Sequence, residues 1–238
     1  MSEMRNNKGS GMRILFFGRA KCDASETLLK KLKVYGYDVT YVRSERRGEK
    51  LPKSVLSWEG EYILCFRSLF ILRKALIDKA KIAAINFHPG PPEYPGSGCV
   101  NFALYNNAKN YGVTAHVINE KVDNGEILEV RRFPISSFDD LPSVLARTHS
   151  ELSNLCSDFI SKIFSNGESF IEEKKSASKH EKWSGDAKLM KELELLQTVS
   201  PDVSEEELKR IIRATYIEGY PPRIELHGFK FYLKLDKS

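Results

Sequence analysis

The sequence predicts an α/β fold: a mostly parallel, twisted sheet with helices on both faces, then a small C-terminal α+β module ending in a β-hairpin. Three observations carry this. Apolar runs alternate with helical stretches through the first half of the chain, which in one sheet means right-handed crossovers between parallel strands. Two closely linked strands and one long helical stretch follow. The end of the chain alternates apolar and polar residues across a His227-Gly228 turn.

Residues 13–18, Arg-Ile-Leu-Phe-Phe-Gly, are an apolar run of the kind that forms a buried strand. Asp23 with Glu26 three positions on has the form of a capping box. Leu28, Leu29 and Leu32 mark the buried side of the helix that follows, and Gly36 ends it. Strands are expected at 39–42, 62–66 and 83–87, with a helix over 69–80. Residues 111–118 and 127–133 read as strands that extend the sheet, at least one running antiparallel. Residues 141–164 keep a helical period and cover one sheet face. Residues 165–183 are polar and read as loop and connector. Helices over 186–196 and 204–214, the second opened by Ser204 and Glu207 as a capping box, lead into the hairpin over 223–235. The implied division is a disordered extension over 1–11, a main domain over 12–180 and a small module over 181–238.

Composition narrows the function. Hydrophobic residues at 41% and charged residues at 29% are ordinary globular usage, which excludes disorder of the whole chain. No apolar run approaches the roughly 18–20 residues of a membrane span. The net charge is +5, and acids interleave with the basic residues even in the densest basic stretch, 43–53. A nucleic-acid binder gathers its basic charge on one face, so neither nucleic acid nor membrane is an expected partner. Cys22, Cys65, Cys99 and Cys156 form no C-x-x-C pair, which disfavours a zinc knuckle or disulfide framework and fits a reduced cytosol. Residues 1–11 lack an apolar core, so no signal peptide is expected and the location is cytoplasmic. The first strand-to-helix turn, Gly-Arg-Ala-Lys-Cys-Asp, carries neither a dinucleotide nor a P-loop glycine pattern.

The residues with chemistry to offer start at 85–98. Asn86 and His88 lie two apart at the end of a parallel strand, hence on one side of it. Ligand chemistry in open α/β sheets collects at such carboxyl ends. The proline–glycine stretch 89–96 makes a stiff wall beside them. Downstream come Gly112-Val-Thr-Ala-His116 and Glu120-Lys-Val-Asp-Asn-Gly125, with Asp123 in a turn between strands. An amide, an imidazole and a carboxylate brought together suit attack of an amine on an activated carbonyl. The amide and the imidazolium stabilise an oxyanion; the carboxylate raises the imidazole pKa and takes the proton the amine sheds. At this level Asn86 is equally a strand-end cap, His88 a packed or surface histidine and Asp123 a turn residue. A metal site of His88, His116 and Asp123 is a further alternative, although it lacks the close spacing such sites use.

Asn86-Phe-His88, Pro-Gly-Pro-Pro-Glu-Tyr-Pro-Gly96, Gly112-Val-Thr-Ala-His116 and Val122-Asp-Asn-Gly125 together resemble the folate-dependent formyltransferase family. That family includes glycinamide ribonucleotide, methionyl-tRNA and nucleotide-sugar formyltransferases. The resemblance runs over about 12–164 and is most specific over 85–125. It implies a Rossmann-like catalytic domain over 12–180, Asn86, His88 and Asp123 as the catalytic trio, 10-formyltetrahydrofolate as formyl donor, and no metal. In the family the pterin lies against backbone in two segments, which fall here on Phe70, Ile71 and Leu72 and on Ile118, Asn119 and Glu120.

Among family members, the stretch 86–104 and the tail around 211–216 and 219–222 are most similar to nucleotide-sugar N-formyltransferases. Methionyl-tRNA enzymes carry a barrel for which the residues after His180 are too few, and glycinamide ribonucleotide enzymes show Leu-Leu-Pro where this chain has Gly-Pro-Pro. The implied reaction puts a formyl group on the amino group of a nucleotide-linked amino-dideoxyhexose, such as a dTDP- or GDP-linked one, for surface polysaccharide (O-antigen) synthesis. Tyr94, Pro95, Gly96 and Gly98 are expected against the nucleotide, with Arg67 nearby. Phe229, Phe231 and Leu233 offer an element for a homodimer. A methionyl-tRNA or glycinamide ribonucleotide enzyme, or a non-catalytic nucleotide-binding relative, remains the alternative.

Overall fold

The structure, a computed structural model, describes residues 11–235. The disorder expected over 1–11 falls, apart from Gly11, outside them; Gly11 itself is hydrogen-bonded through its N–H to Gly36 O (3.2 Å). The elements run β1 (Arg13–Arg19), α1 (Asp23–Val34), β2 (Asp38–Ser44), β3 (Gly60–Phe66), α2 (Lys74–Ile77), β4 (Ala80–His88), α3 (Cys99–Tyr105), β5 (Asn110–Val117) and β6 (Ile127–Pro134). They continue as α4 (Leu141–Asn166), α5 (Glu168–Ala177), α6 (Met190–Leu196), β7 (Thr198–Val199), α7 (Glu205–Thr215), β8 (Arg223–Leu226) and β9 (Phe229–Tyr232).

The main sheet has the order β2-β1-β3-β4-β5-β6. β1 to β4 are parallel, β5 is antiparallel to β4, and β6 is antiparallel to β5. The expected α/β class is thus the observed one. Strand alternation sorts the core into two layers. On one face Ile14, Phe16, Leu64, Ile85 and Phe87 pack under α1, α4 and α5. On the other, Leu15, Phe17, Ile63, Cys65 and Ala84 meet Val55, Leu72 and Leu76, with Leu51, Trp58, Phe70, Ile77 and Ile118 partly buried against them. The same alternation sends Asn86 and His88 to this second face, where Asn86 stays half-buried and His88 is buried.

Five local expectations are corrected. The helix predicted over 69–80 shrinks to Lys74–Ile77. Arg67 is in the left-handed region (φ 54°), and the N–H groups of Leu69 and Phe70 donate to the hydroxyls of Ser44 (2.9 Å) and Ser68 (3.2 Å). Such side-chain acceptors compete with helix hydrogen bonds. The polar stretch 165–183 instead contains α5: Gly167 (φ 60°) breaks the chain away from α4, and Phe170 and Ile171 then bury against it, with Phe170 edge-on to Phe159 (5.0 Å). The helix expected from 186 begins only at Met190, because the backbone of Lys188 pairs with Gly96. Asp23 and Glu26 do not cap α1; its N-cap is Cys22, and the two acids sit in the first turn, where they complement the helix dipole. At α7 only half of the expected box forms, Ser204 Oγ accepting from Glu207 N (3.2 Å).

The C-terminal module carries a second sheet, β7-β8-β9, closed by the expected hairpin. Its turn places His227 (φ 50°) and Gly228 (φ 85°) both at positive φ, the demand of a two-residue hairpin loop. The module docks through α7. Asn101 Nδ2 donates to Ala214 O (2.8 Å), Tyr105 Oη to Glu207 (2.6 Å), and Arg213 to the carbonyls of Ser136 (3.0 Å) and Asp139 (2.9 Å). Among the described residues no helix is long and apolar enough to cross a membrane.

Candidate active site

At the end of β4 a polar cluster is assembled from three parts of the chain. Asn86 and His88 come from β4, and His116 of β5 is the register partner of Asn86. Asp123 comes from the turn between β5 and β6, in the left-handed region (φ 44°). Val117 N–H donates to Glu126 O (2.8 Å) and clinches this turn. Gly125 is required in it, since a Cβ there would collide with the Val117 carbonyl. The trio expected from sequence is therefore brought together, 37 positions apart in the chain, by sheet register and one tight turn.

Four nitrogens surround Asp123. Oδ2 faces His88 Nδ1 (3.1 Å) and accepts from Gly96 N–H (2.9 Å); Oδ1 faces His116 Nε2 (3.4 Å) and accepts from Asn86 Nδ2 (3.3 Å). Burial by itself would raise the Asp123 pKa, but the charge of His88 and the bonds from His116 and Gly96 outweigh it and hold the carboxyl near about 2. Burial would lower His88; the Asp123 charge, with help from Cys99 and the Tyr94 carbonyl, instead pushes it up to about 9. At neutral pH the pair is imidazolium and carboxylate. His88 Nε2, 3.1 Å from Tyr94 O, then donates there. Asn86 Nδ2 also lies 3.1 Å from His116 Nε2, which accepts from the amide when unprotonated and donates to Asp123 when protonated; Asn86 Oδ1 is left to accept.

The structure distributes the other expected residues unevenly. Ile118, Asn119 and Glu120 line a groove of about 410 Å³ together with Lys121 and Asn124. Ile118 N–H donates to Ala84 O (2.8 Å), which fixes the groove to β4. Phe70 and Leu72 pack into the neighbouring core instead, while Ile71 projects into solvent. Arg67 ends β3 with Nη1 3.6 Å from Cys22 Sγ. Burial and the charges of Arg67 and Arg19 hold His149 down at about 4, so this corner is cationic. The loop expected against the nucleotide turns its backbone inward. Tyr94 O faces His88, Pro95 O accepts from Lys188 N–H (3.1 Å), Gly96 N–H holds Asp123, and Gly98 O accepts from Phe102 N–H (3.0 Å). Its first task is to build the cluster.

Two members of the site were missed. His116 was weighed only as a metal ligand. Both ring nitrogens of His88 and His116 face protein partners, and among the described residues no group of three or more His, Cys, Asp or Glu is arranged to hold a metal. Trp183 is the second. It packs against both imidazoles, and its one signal in the sequence is a lone indole within the polar run Lys182 to Asp186.

Fold and cluster together define an α/β protein with its polar site at strand carboxyl ends. The formyl transferase family model matches residues 12–160, and the chain belongs to that family. It is 24% identical over 112 residues to a methionyl-tRNA formyltransferase of Finegoldia magna, a match covering 47% of this chain and 35% of the relative. The chain thus spans about a third of the length of that curated relative. A sugar N-formyltransferase from Shewanella sp FDAARGOS_354 shares the fold at TM-score 0.69 and 20% identity, over 95% of this chain and 98% of that one. So does an N-formyltransferase from Helicobacter canadensis solved with folinic acid and dTDP-3-aminofucose, at TM-score 0.66 and 14% identity over 92% and 86%.

Proposed function

We propose that the chain is an N-formyltransferase that moves the formyl group of 10-formyltetrahydrofolate to the amino group of a nucleotide-linked amino-dideoxyhexose. The observation that carries this reading is the convergence of Asn86, His88 and Asp123 at the end of β4, with the groove formed by 118–124 next to Asp123 in the chain. The folate supplies an activated formyl carbon. A groove of about 410 Å³, lined by the charged Lys74, Asp78, Glu120 and Lys121 as well as by Ile118 and the amides of Asn119 and Asn124, has room for a pterin-sized ligand. His88 is the charged donor for negative charge on an acyl oxygen, given up by Tyr94 O when it turns to that oxygen. Asn86 offers Oδ1 to an amine N–H; the donor role expected of it requires exchanging one of its present bonds. Asp123, ringed by donors and held near about 2, is a poor proton acceptor. Its part is to charge and orient His88.

The nucleotide-sugar class is supported by the near-complete coverage of the sugar N-formyltransferase fold, C-terminal module included, and by the nucleotide sugar in the Helicobacter canadensis neighbour. Arg67 and Arg19 provide positive charge for a diphosphate at the ends of β3 and β1. In this reading 12–180 carries the chemistry, 181–238 completes the site and pairs two copies of the chain, and the product feeds surface polysaccharide synthesis in the cytoplasm. The second reading is a methionyl-tRNA formyltransferase, favoured by the sequence relative. Incubation with 10-formyltetrahydrofolate and a panel of nucleotide-linked amino sugars, with charged initiator tRNA and glycinamide ribonucleotide in parallel, tests the choice. Formylated sugar is the expected product; formylation of tRNA alone, or of no amine, overturns the proposal.

A further inference from the structure

The connector between α5 and α6 is fastened across the site. Ser178 Oγ donates to Leu128 O (2.7 Å), and Glu181 pairs with Arg132 of β6. Ser184 N–H donates to Pro92 O (3.0 Å), Lys188 N–H to Pro95 O, and Ser97 N–H to Lys188 O (2.7 Å). Gly96 permits this crossing, because a Cβ there would strike the Lys188 backbone. In the middle of the strap sits Trp183. Its Nε1–H donates to Gly125 O (2.7 Å), two residues beyond Asp123. Its ring packs edge-to-face on His116 (5.0 Å, 86°) and on His88 (5.7 Å, 69°).

We propose that Trp183 is a positioning residue for the His88–Asp123 pair, one side chain that pins the Asp123 turn and shields both imidazoles on the connector side. This inference rests on the reading of the cluster as the reacting site. The physical ground is twofold. The Asp123 turn contains a left-handed non-glycine residue, which persists only where its surroundings over-determine it, and the indole supplies one such tie. Excluding water strengthens the attraction between imidazolium and carboxylate. The titratable groups that face His88 are Asp123 of the turn, Cys99 of α3, His116 of β5 and, through Cys99, Tyr111; Glu181 of the strap is held by Arg132.

The emission and resonance readouts need no substrate, so they are independent of which amine the protein formylates. The chain has two tryptophans and five histidines. Trp58, which packs against the core layer of Leu15, Phe17 and Ile63, is replaced by Phe so that Trp183 emits alone. An imidazolium against an indole quenches it; emission should rise in one step near pH 9, and His88→Gln should abolish that step. Histidine Cε1–H resonances then follow His88 directly. Trp183→Ala should lower the His88 midpoint by about one pH unit or more, as for a weakened neighbouring charge. Trp183→Phe, which keeps a ring but loses the N–H, should recover part of the shift. In turnover, Trp183→Ala should lose on the order of 10–10²-fold in kcat, with KM for the formyl donor little changed and the alkaline limb displaced with His88. A folded Trp183→Ala protein with an unmoved His88 midpoint overturns the proposal. Should that variant not fold, an emission profile flat across the His88 transition, or Trp183→Phe with neither midpoint nor kcat altered, overturns it equally.

Discussion

At the end of β4 a carboxylate and two imidazoles are almost wholly buried, Asp123 8% exposed, His88 3% and His116 2%. At the β8–β9 hairpin Phe229 and Phe231 are 70% and 57% exposed. Both regions break the rule of apolar inside and polar outside, in opposite directions. Burying a charge costs several kcal/mol and leaving a Phe in water forgoes roughly 1.5–3 kcal/mol, so neither is retained for stability. They differ in compensation. Every charged atom of the cluster has partners from β4, β5, the 118–126 turn and the proline–glycine loop. Nothing among the described residues covers the two phenylalanines. Compensation within the chain marks a site that is complete in one copy; its lack marks a surface completed by something else.

The comparison breaks most sharply at Asp123. Asp123→Asn keeps the shape and removes the charge. Turnover should fall by a factor on the order of 10²–10³, the range for loss of an oxyanion-stabilising donor, because His88 loses the partner that charges and orients it. The pair also shapes stability. The raised His88 pKa stabilises the fold fully below the ordinary 6.5, and that contribution is lost as pH rises through about 9. The lowered Asp123 pKa stabilises it above the ordinary 3.8, and that contribution is lost as pH falls through about 2. Both are at full strength between those ordinary values. Thermal midpoints measured across pH should decline on either side in the parent protein and flatten on both sides in Asp123→Asn. A parent profile without the alkaline decline contradicts the charged state of His88.

Next in size is Gly96, where the connector crosses beside the cluster. Its φ of 87° suits glycine, its N–H holds Asp123, and a Cβ would strike the Lys188 backbone. Gly96→Ala should cost about 2 kcal/mol or more of stability, read as a shifted urea midpoint, and should lower turnover because the Asp123 anchor moves. Equal stability would mean that the strap is not fastened as described.

The sheet and the trio were legible because each rests on a short-range rule. Apolar runs of strand length gave β1, β3 and β4, and period two placed Asn86 and His88 together. What escaped depends on contacts distant in sequence. α5 buries only the adjacent Phe170 and Ile171, a pair with no helical period. Residues 67–73 carry helix formers, but hydroxyls of Ser44 and Ser68 capture their amides. His116 and Trp183 join the cluster through strand register and a strap, neither of which leaves a local pattern.

The smallest effect on the single chain is expected at the hairpin. Phe229 and Phe231 lie two apart on β9, hence on one face, and β9 is an edge strand with free backbone groups. Replacing both with Ser changes surface that this copy of the chain does not use, so stability of the isolated chain should move within about 0.5 kcal/mol and turnover should hold. The assembly is where the change should register. Sedimentation should give twice the chain mass for the parent protein and the single-chain mass for the double variant. A parent protein that sediments as one chain would show that the exposed face is not completed by a second copy, and the contrast with the β4 site would then have to rest on a different occupant.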